Sequence, residues 1–306
     1  RCYTIESTNN LYIHYGFMAL YYCIEAMVLC IIRPSRKVVR GQTVLVTGAG
    51  SGIGQRLAVS FAKLGCQIVG LDISEAGMKE TAKLIRELDT KVAFHPYKCD
   101  LSDRLNVNEV GDKVKSDVGD VDILINNAGI VTGKEILDCP DKMMVKTMEV
   151  NTMAHFWTIK AFLPAMMEKN SGHVVTIASG AGLLFGLPAL LDYCASKFGA
   201  VGLSESLDLE LWQQKKDGVH VTVVCPYYID TGMFKGVHTP VIPILKADYA
   251  VEQMVDAILR NKRMLLLPFF SYIIYALKGI IPSKAMYVVG EAFGINTSME
   301  TFIGRK

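Results

Sequence analysis

The chain has 306 residues, a formal net charge of +2 and 51% hydrophobic residues, with a mean hydropathy of +0.28. A balance this close to neutral lacks the basic footprint of a nucleic-acid-binding domain, so nucleic acid is excluded as a partner. The cysteines, at 2, 23, 30, 66, 99, 139, 194 and 225, form no CxxC pair and no Cys/His cluster; this excludes a metal site and implies reduced thiols facing a reducing compartment.

The chain opens on Arg1, and the natural start is expected to lie upstream. Leu11–Ile32, LYIHYGFMALYYCIEAMVLCII, has only His14 and Glu25 as readily charged side chains. A bilayer-spanning helix needs roughly 20 apolar residues, so this segment is expected to be a membrane anchor, although Glu25 is costly at a bilayer centre. Arg33, Arg36, Lys37 and Arg40 follow it. By the positive-inside rule they place the rest of the chain on the cytoplasmic side. A cleaved signal peptide fits less well, because no basic leader and no small-residue cleavage site are present. A helix lying in one leaflet or in a lipid-droplet monolayer, and a buried core helix, stay open. Residues 1–40 are therefore read as anchor and linker, 41–265 as a catalytic domain, and 266–306 as an apolar C-terminal segment.

QTVLVT at 42–47 reads as a strand, GAGSGIG at 48–54 as a glycine loop, and QRLAVSFAKLG as a helix. Glycines let a backbone approach a pyrophosphate, and a helix N-terminus supplies amide donors and the positive dipole end. A second strand, QIVGLD, ends on Asp72. An acid about 20 residues beyond the glycines suits the adenosine ribose. It would repel a 2′-phosphate, so the spacing predicts NAD rather than NADP; the alternative for Asp72 is a strand-end cap. Further strands are read at 91–101, ending near Asp100, at 121–129 (VDILINNAG), at 172–179 (GHVVTIAS) and at 219–226 (VHVTVVCP), with helical stretches between them. Repeated βα units predict an α/β fold, a doubly wound parallel sheet with helices on both faces. Ligands bind such sheets beyond the carboxyl ends of the strands.

Ser179 closes the fifth strand, and Tyr193 and Lys197 in DYCASK lie one helical turn apart on the next helix, so they share a face. Asn151 falls in a helix after the fourth strand. Each residue alone has an ordinary structural explanation; the four together do not. With TGAGSGIG at 47–54, NNAG at 126–129 and YCASK at 193–197, the chain resembles the short-chain dehydrogenase/reductase family over about residues 41–265. The resemblance implies catalytic roles for Asn151, Ser179, Tyr193 and Lys197. It implies cofactor contacts from Gly48, Ser51, Gly52, Ile53, Gly54, Asp72, Asp100, Leu101, Asn127, Ala128, Gly129, Tyr193, Lys197, Pro226, Ile229 and Thr231. Tyr193 is expected to be a phenol whose proton the Lys197 ammonium loosens, acting as general base on an alcohol. Ser179 would hold the substrate oxygen, and Asn151 would anchor a water leading to solvent. Tyr227 and Tyr228 are expected to line an apolar substrate cleft.

The stretches at 126–134, 160–167 and 225–234, with the greasy first segment, resemble a membrane-bound branch of that family. It holds retinol dehydrogenases of the epidermal type and 17β-hydroxysteroid dehydrogenases of lipid droplets. The implied activity is NAD-dependent oxidation of a lipophilic alcohol, retinol foremost. A steroid alcohol, or a non-catalytic membrane scaffold that keeps the nucleotide fold, is the alternative. The implied setting is the endoplasmic reticulum membrane or a lipid droplet, and the implied assembly a homodimer through the helices of Asn151 and Tyr193. MLLLPFFSYIIYALKGIIPSKAMYVVG at 264–290 reads either as an interfacial segment with surface Lys278 and Lys284, or as a seventh strand followed by a helix at a dimer contact.

Overall fold

Val44, Leu45 and Val46 are wholly buried, as expected of a strand covered on both faces. They lie in β1 (Thr43–Thr47) at the centre of the sheet. The computed structural model describes residues 2–88 and 90–304, without the side chains of 2–10 and 29–31. The other strands are β2 (Gln67–Asp72), β3 (Phe94–Lys98), β4 (Ile123–Asn126), β5 (Gly172–Ile177), β6 (Val219–Pro226), β7 (Ile229–Asp230), β8 (Leu245–Lys246) and β9 (Met264–Leu267). Seven of them form one parallel sheet in the order β3-β2-β1-β4-β5-β6-β9, and β7 pairs with β8 separately. The doubly wound class read from the sequence is the one observed. The strand order runs outward in opposite directions from β1 and β4, and this switch point opens a crevice at their carboxyl ends.

The helices are α1 (Cys2–Ile31), α2 (Gly52–Lys63), α3 (Glu75–Arg86), α4 (Arg104–Asp117), α5 (Asp141–Met148), α6 (Ala154–Lys169), α7 (Leu191–Gln213), α8 (Ala247–Leu259), α9 (Ser271–Leu277) and α10 (Ser283–Ala292). Leu57 and Phe61 of α2, Met78 of α3 and Met254 of α8 cover one face of the sheet. Val110 of α4, Phe162 of α6 and Leu207 of α7 cover the other. Each fully buried Leu or Phe contributes about 1.5–3 kcal/mol, and Phe61→Ala would cost about 3–5 kcal/mol. The third strand is shorter than its sequence suggested. It forms the sheet edge, where Pro96 can lack a ladder donor.

The chain divides into two compact units, residues 1–37 and 38–306. The first is built on α1. Among the described residues, no helix is long and apolar enough to cross a membrane. The expected spanning anchor is thus not met: His14, Glu25 and Tyr12, Tyr15, Tyr21 and Tyr22 interrupt the run. Arg1 and the side chains of Leu29, Cys30 and Ile31 lie outside the described residues. At the other end, residues 264–267 form the seventh strand of the large sheet, β9 on β6. After it, Ile273 of α9 and Tyr287 and Val288 of α10 are 56%, 66% and 69% exposed in the single chain. Lys278 and Lys284 are both exposed, as their spacing suggested, but Lys278 also has partners on the catalytic unit. Its ammonium donates to the Leu183 carbonyl at 2.7 Å and stands 4.7 Å over the Phe198 ring.

Candidate active site

The β1–α2 turn brings Gly48 to the Leu71 carbonyl, its N–H donating at 2.7 Å. An ideal Cβ on Gly54 would lie 2.1 Å from the Gly48 carbonyl oxygen, so only glycine lets the first turn of α2 close on β1. The Thr47 hydroxyl accepts the N–H groups of Asn127 and Ala128 at 2.9 and 3.0 Å, and the Asn127 amide donates to the Thr47 carbonyl at 2.9 Å. These bonds join the ends of β1 and β4 across the crevice. At the end of β2, the Asp72 carboxylate accepts from Gly50 N–H and Ser74 N–H, both at 2.8 Å. It therefore does cap local backbone, and it also faces the cavity. Asp100 is held below the ordinary carboxylate range, first by the Ser102 hydroxyl at 2.6 Å.

A cavity of about 350 Å³ runs along this crevice. Gly48, Ser51, Gly52, Ile53, Asp72, Asp100, Leu101 and Asn127–Gly129 line it, as do Ser179, Tyr193, Lys197, Pro226, Tyr227, Tyr228, Ile229 and Thr231. Two predicted residues stand behind its wall. Gly54 is buried under the glycine loop. Asn151 lies in a π-helical turn, Glu149–Met153, between α5 and α6; such turns recur at functional sites. Its Oδ1 accepts from Ile130 N–H at 2.8 Å, and its Nδ2 donates to the Ile130 carbonyl at 2.9 Å and to Ser196 Oγ at 3.0 Å. That side chain is thus committed to protein partners.

Tyr193 sits in the first turn of α7, and its phenol is hydrogen-bonded to the Ser179 side chain. Lys197 donates to the Ile177 carbonyl at 2.9 Å, and its nitrogen lies 5.7 Å from the centre of the Tyr193 ring. Burial lowers the Lys197 ammonium to about 8. The same burial pushes the Tyr193 phenol well above its usual range, against the Ser179 hydrogen bond. Desolvation thus sets the direction for the phenol in the protein alone, while the Lys197 ammonium is directed at a backbone carbonyl. Asp192, buried beside Tyr193, accepts from the hydroxyls of Thr132 and Thr147 at 2.7 and 2.9 Å and from Tyr193 N–H at 2.8 Å.

Sequence reasoning put Tyr227 and Tyr228 on the apolar half of the cavity and missed the rest of that half. Leu184, Phe185, Leu187 and Leu190 come from the loop between Ser179 and Tyr193, Phe234 from the segment after β7, and Leu267 from the end of β9. The length of the 179–193 loop was a signal for the first four. Phe302, packed beside Phe234, carried none.

Glycine loop, acid-tipped second strand and Ser/Tyr/Lys cluster on one crevice define a nucleotide-dependent oxidoreductase of the doubly wound class. Residues 42–241 match the family model described as short chain dehydrogenase. The human protein named epidermal retinol dehydrogenase 2 [Homo sapiens] is 47% identical, over 99% of this chain and 98% of that protein. A short-chain dehydrogenase/reductase of Burkholderia phymatum, solved in complex with NAD, shares 25% identity with a TM-score of 0.69, over 78% of this chain and 92% of that one. A metagenomic short-chain oxidoreductase in complex with NADP shares 26% with a TM-score of 0.62, over 74% and 97%. The chain belongs to the short-chain dehydrogenase family.

Proposed function

We propose that the chain is an NAD-dependent dehydrogenase that oxidises a lipophilic alcohol, all-trans-retinol foremost, to its carbonyl. The observation that carries this reading is one cavity with Asp72 and the glycine loop at one end, and Ser179, Tyr193 and an apolar wall at the other. The name of the human relative supports the alcohol. Related folds hold either nicotinamide cofactor, so the choice of NAD rests on Asp72, whose charge opposes a 2′-phosphate.

The residues fit the cofactor. The Gly48–Gly54 turn and the start of α2 present backbone donors to a pyrophosphate, Asp72 takes the adenosine ribose, and Lys197 takes the other ribose. Bound there, the oxidised cofactor would supply the hydride acceptor for the carbinol carbon. Ser179 orients the alcohol oxygen, and Tyr193 takes its proton. The raised phenol requires help to ionise, and the nearby Lys197 charge, which falls off only around pH 8, provides part of it. Asn151 keeps the Ile130 loop in place behind them.

The lipophilic substrate suits the exposed apolar surface of α9 and α10, because Leu267 and Ser271 of that region border the cavity. We propose that this surface rests on the endoplasmic reticulum membrane or a lipid droplet, with the catalytic unit facing the cytoplasm, residues 1–40 serving as membrane-associated leader, 41–265 as catalytic domain and 266–306 as the lipid-side segment. We also propose a homodimer through α6 and α7, whose outer faces carry the exposed Phe156 and Trp212.

The test is an assay of the full chain in microsomes with NAD and with NADP, using all-trans-retinol and a 17β-hydroxysteroid, with Tyr193→Phe as control. Retinal formed with NAD and absent in the mutant supports the reading. Preference for NADPH overturns the cofactor assignment. Turnover of the steroid alone overturns the substrate, and turnover of neither by a protein that NAD still protects from unfolding leaves a nucleotide-binding scaffold.

A further inference from the structure

Phe234 packs edge-on against Tyr193, with centroids 5.6 Å apart and planes at 87°, and against Tyr228 at 5.0 Å. It belongs to an irregular segment after β7, so something outside that segment must hold it. The chain's last described residues do so. The N–H groups of Ile303 and Gly304 donate to the Lys235 carbonyl at 2.9 and 3.1 Å, and the His238 N–H donates to the Ser298 carbonyl at 3.2 Å. The Thr301 hydroxyl donates to the Gly236 carbonyl. Gly236 has φ +90°, and a Cβ there would lie 2.3 Å from the Thr301 carbonyl oxygen.

The same strap grips the opposite rim. The Phe302 ring lies so close over Gly133, φ +68°, that a Cβ on Gly133 would fall 2.1 Å from it. Gly133 follows Thr132, whose hydroxyl donates to Asp192, and Asp192 accepts the Tyr193 N–H. Ser298 adds a tie at 3.1 Å to the Tyr228 hydroxyl, and Met299 is buried in the apolar cluster that contains Tyr193. The contacts close a ring around Tyr193: Phe234, the strap, Gly133, Thr132 and Asp192.

We infer that residues 295–304 form a strap that sets alcohol specificity, with Phe302 as its positioning residue. The strap fixes Phe234 against the reacting phenol, and so fixes the width of the substrate end. Releasing Phe234 would widen that end, so a broad fused-ring alcohol should gain relative to a long, flat, conjugated one. Two glycines of left-handed backbone make the close fit, and neither is needed to bind a nucleotide. The inference rests on the alcohol-dehydrogenase reading above.

The experiment uses the full chain in microsomes for rates and the detergent-purified full chain for amide hydrogen exchange. The variants are Phe302→Ala, the milder Phe302→Leu, and Gly133→Ala. In Phe302→Ala, exchange should quicken over residues 233–238 and stay slow in the β1–α2 glycine loop. The ratio of kcat/KM for all-trans-retinol to that for a 17β-hydroxysteroid should fall at least tenfold, with the Kd for NAD within twofold. Gly133→Ala should shift the ratio the same way, and Phe302→Leu by less. Unchanged exchange over 233–238 overturns the strap, and faster exchange with an unchanged ratio overturns its role in specificity. If Phe302→Ala does not fold, Phe302→Leu decides by the same two readings. A wild type inactive on both alcohols overturns the functional reading, and the exchange measurement then still decides whether the strap holds Phe234.

Discussion

Asn151 holds Ile130 with both ends of one amide: Oδ1 accepts the Ile130 N–H at 2.8 Å while Nδ2 donates to the Ile130 carbonyl at 2.9 Å. The clasp lies in the π-helical turn that precedes α6. It fixes the loop that leaves β4 against the helix that carries Tyr193, because Nδ2 also reaches Ser196. Replacing Asn151 by Ala leaves the half-buried N–H and carbonyl of Ile130 without their partner, which costs at most about 1–3 kcal/mol per group. The urea midpoint should fall with an unchanged slope, and kcat should fall with little change in the Kd for NAD.

Tyr193→Phe removes one hydroxyl from a buried ring that otherwise keeps its packing against Phe234. General acid–base groups contribute about 10²–10⁴-fold. Alcohol turnover should fall by at least 10²-fold, while NAD raises the Tm of the variant as it does that of the wild type. Turnover within threefold of wild type would remove Tyr193 from the chemistry.

Asp72→Asn keeps the side chain's shape, removes the charge and leaves one amide oxygen to accept from only one of Gly50 N–H and Ser74 N–H. The ratio of kcat/KM with NAD to that with NADP should drop at least tenfold. A ratio unchanged by the substitution means that another group excludes the 2′-phosphate.

His155 is 2% exposed, and neither ring nitrogen has a hydrogen-bond partner. Burial lowers it from its ordinary 6.5 to about 3, with the Lys197 charge acting the same way. Between pH 6.5 and about 3 the unfolded chain takes up a proton that the folded chain refuses. Stability is therefore lost as pH falls through that window, at up to about 1.4 kcal/mol per pH unit. His155→Leu should flatten the acid limb of stability against pH, read as the difference from wild type in urea titrations at pH 7, 6 and 5. Parallel curves would show that His155 is protonated in the fold.

The nucleotide half was legible because its signals are local. A glycine loop between a strand and a helix, an acid at a strand tip, and Tyr193 and Lys197 one turn apart need no knowledge of distant residues. The seventh strand stood as one of two readings, since a four-residue apolar run such as Met264–Leu267 has no period of its own. The depth at which Tyr193 is desolvated was not legible: sequence shows which charges are near in number, not how far a group is removed from water. The strap was invisible, because Phe302 meets Gly133 only through tertiary closure, and a lone phenylalanine near a chain end carries no pattern.

Leu267 and Ser271, at the start of the exposed apolar C-terminal region, border the cavity, and the proposed contact of that region with lipid would change what a kinetic constant for this protein measures. A substrate that dissolves in lipid reaches such a rim from a film, so its effective concentration is a mole fraction in that film. Adding inert lipid or detergent at fixed total alcohol thins the substrate at the rim and slows turnover with no change in the enzyme. Surface dilution of this kind belongs in every comparison of alcohols that differ in greasiness, since the greasier one is enriched where the cavity opens.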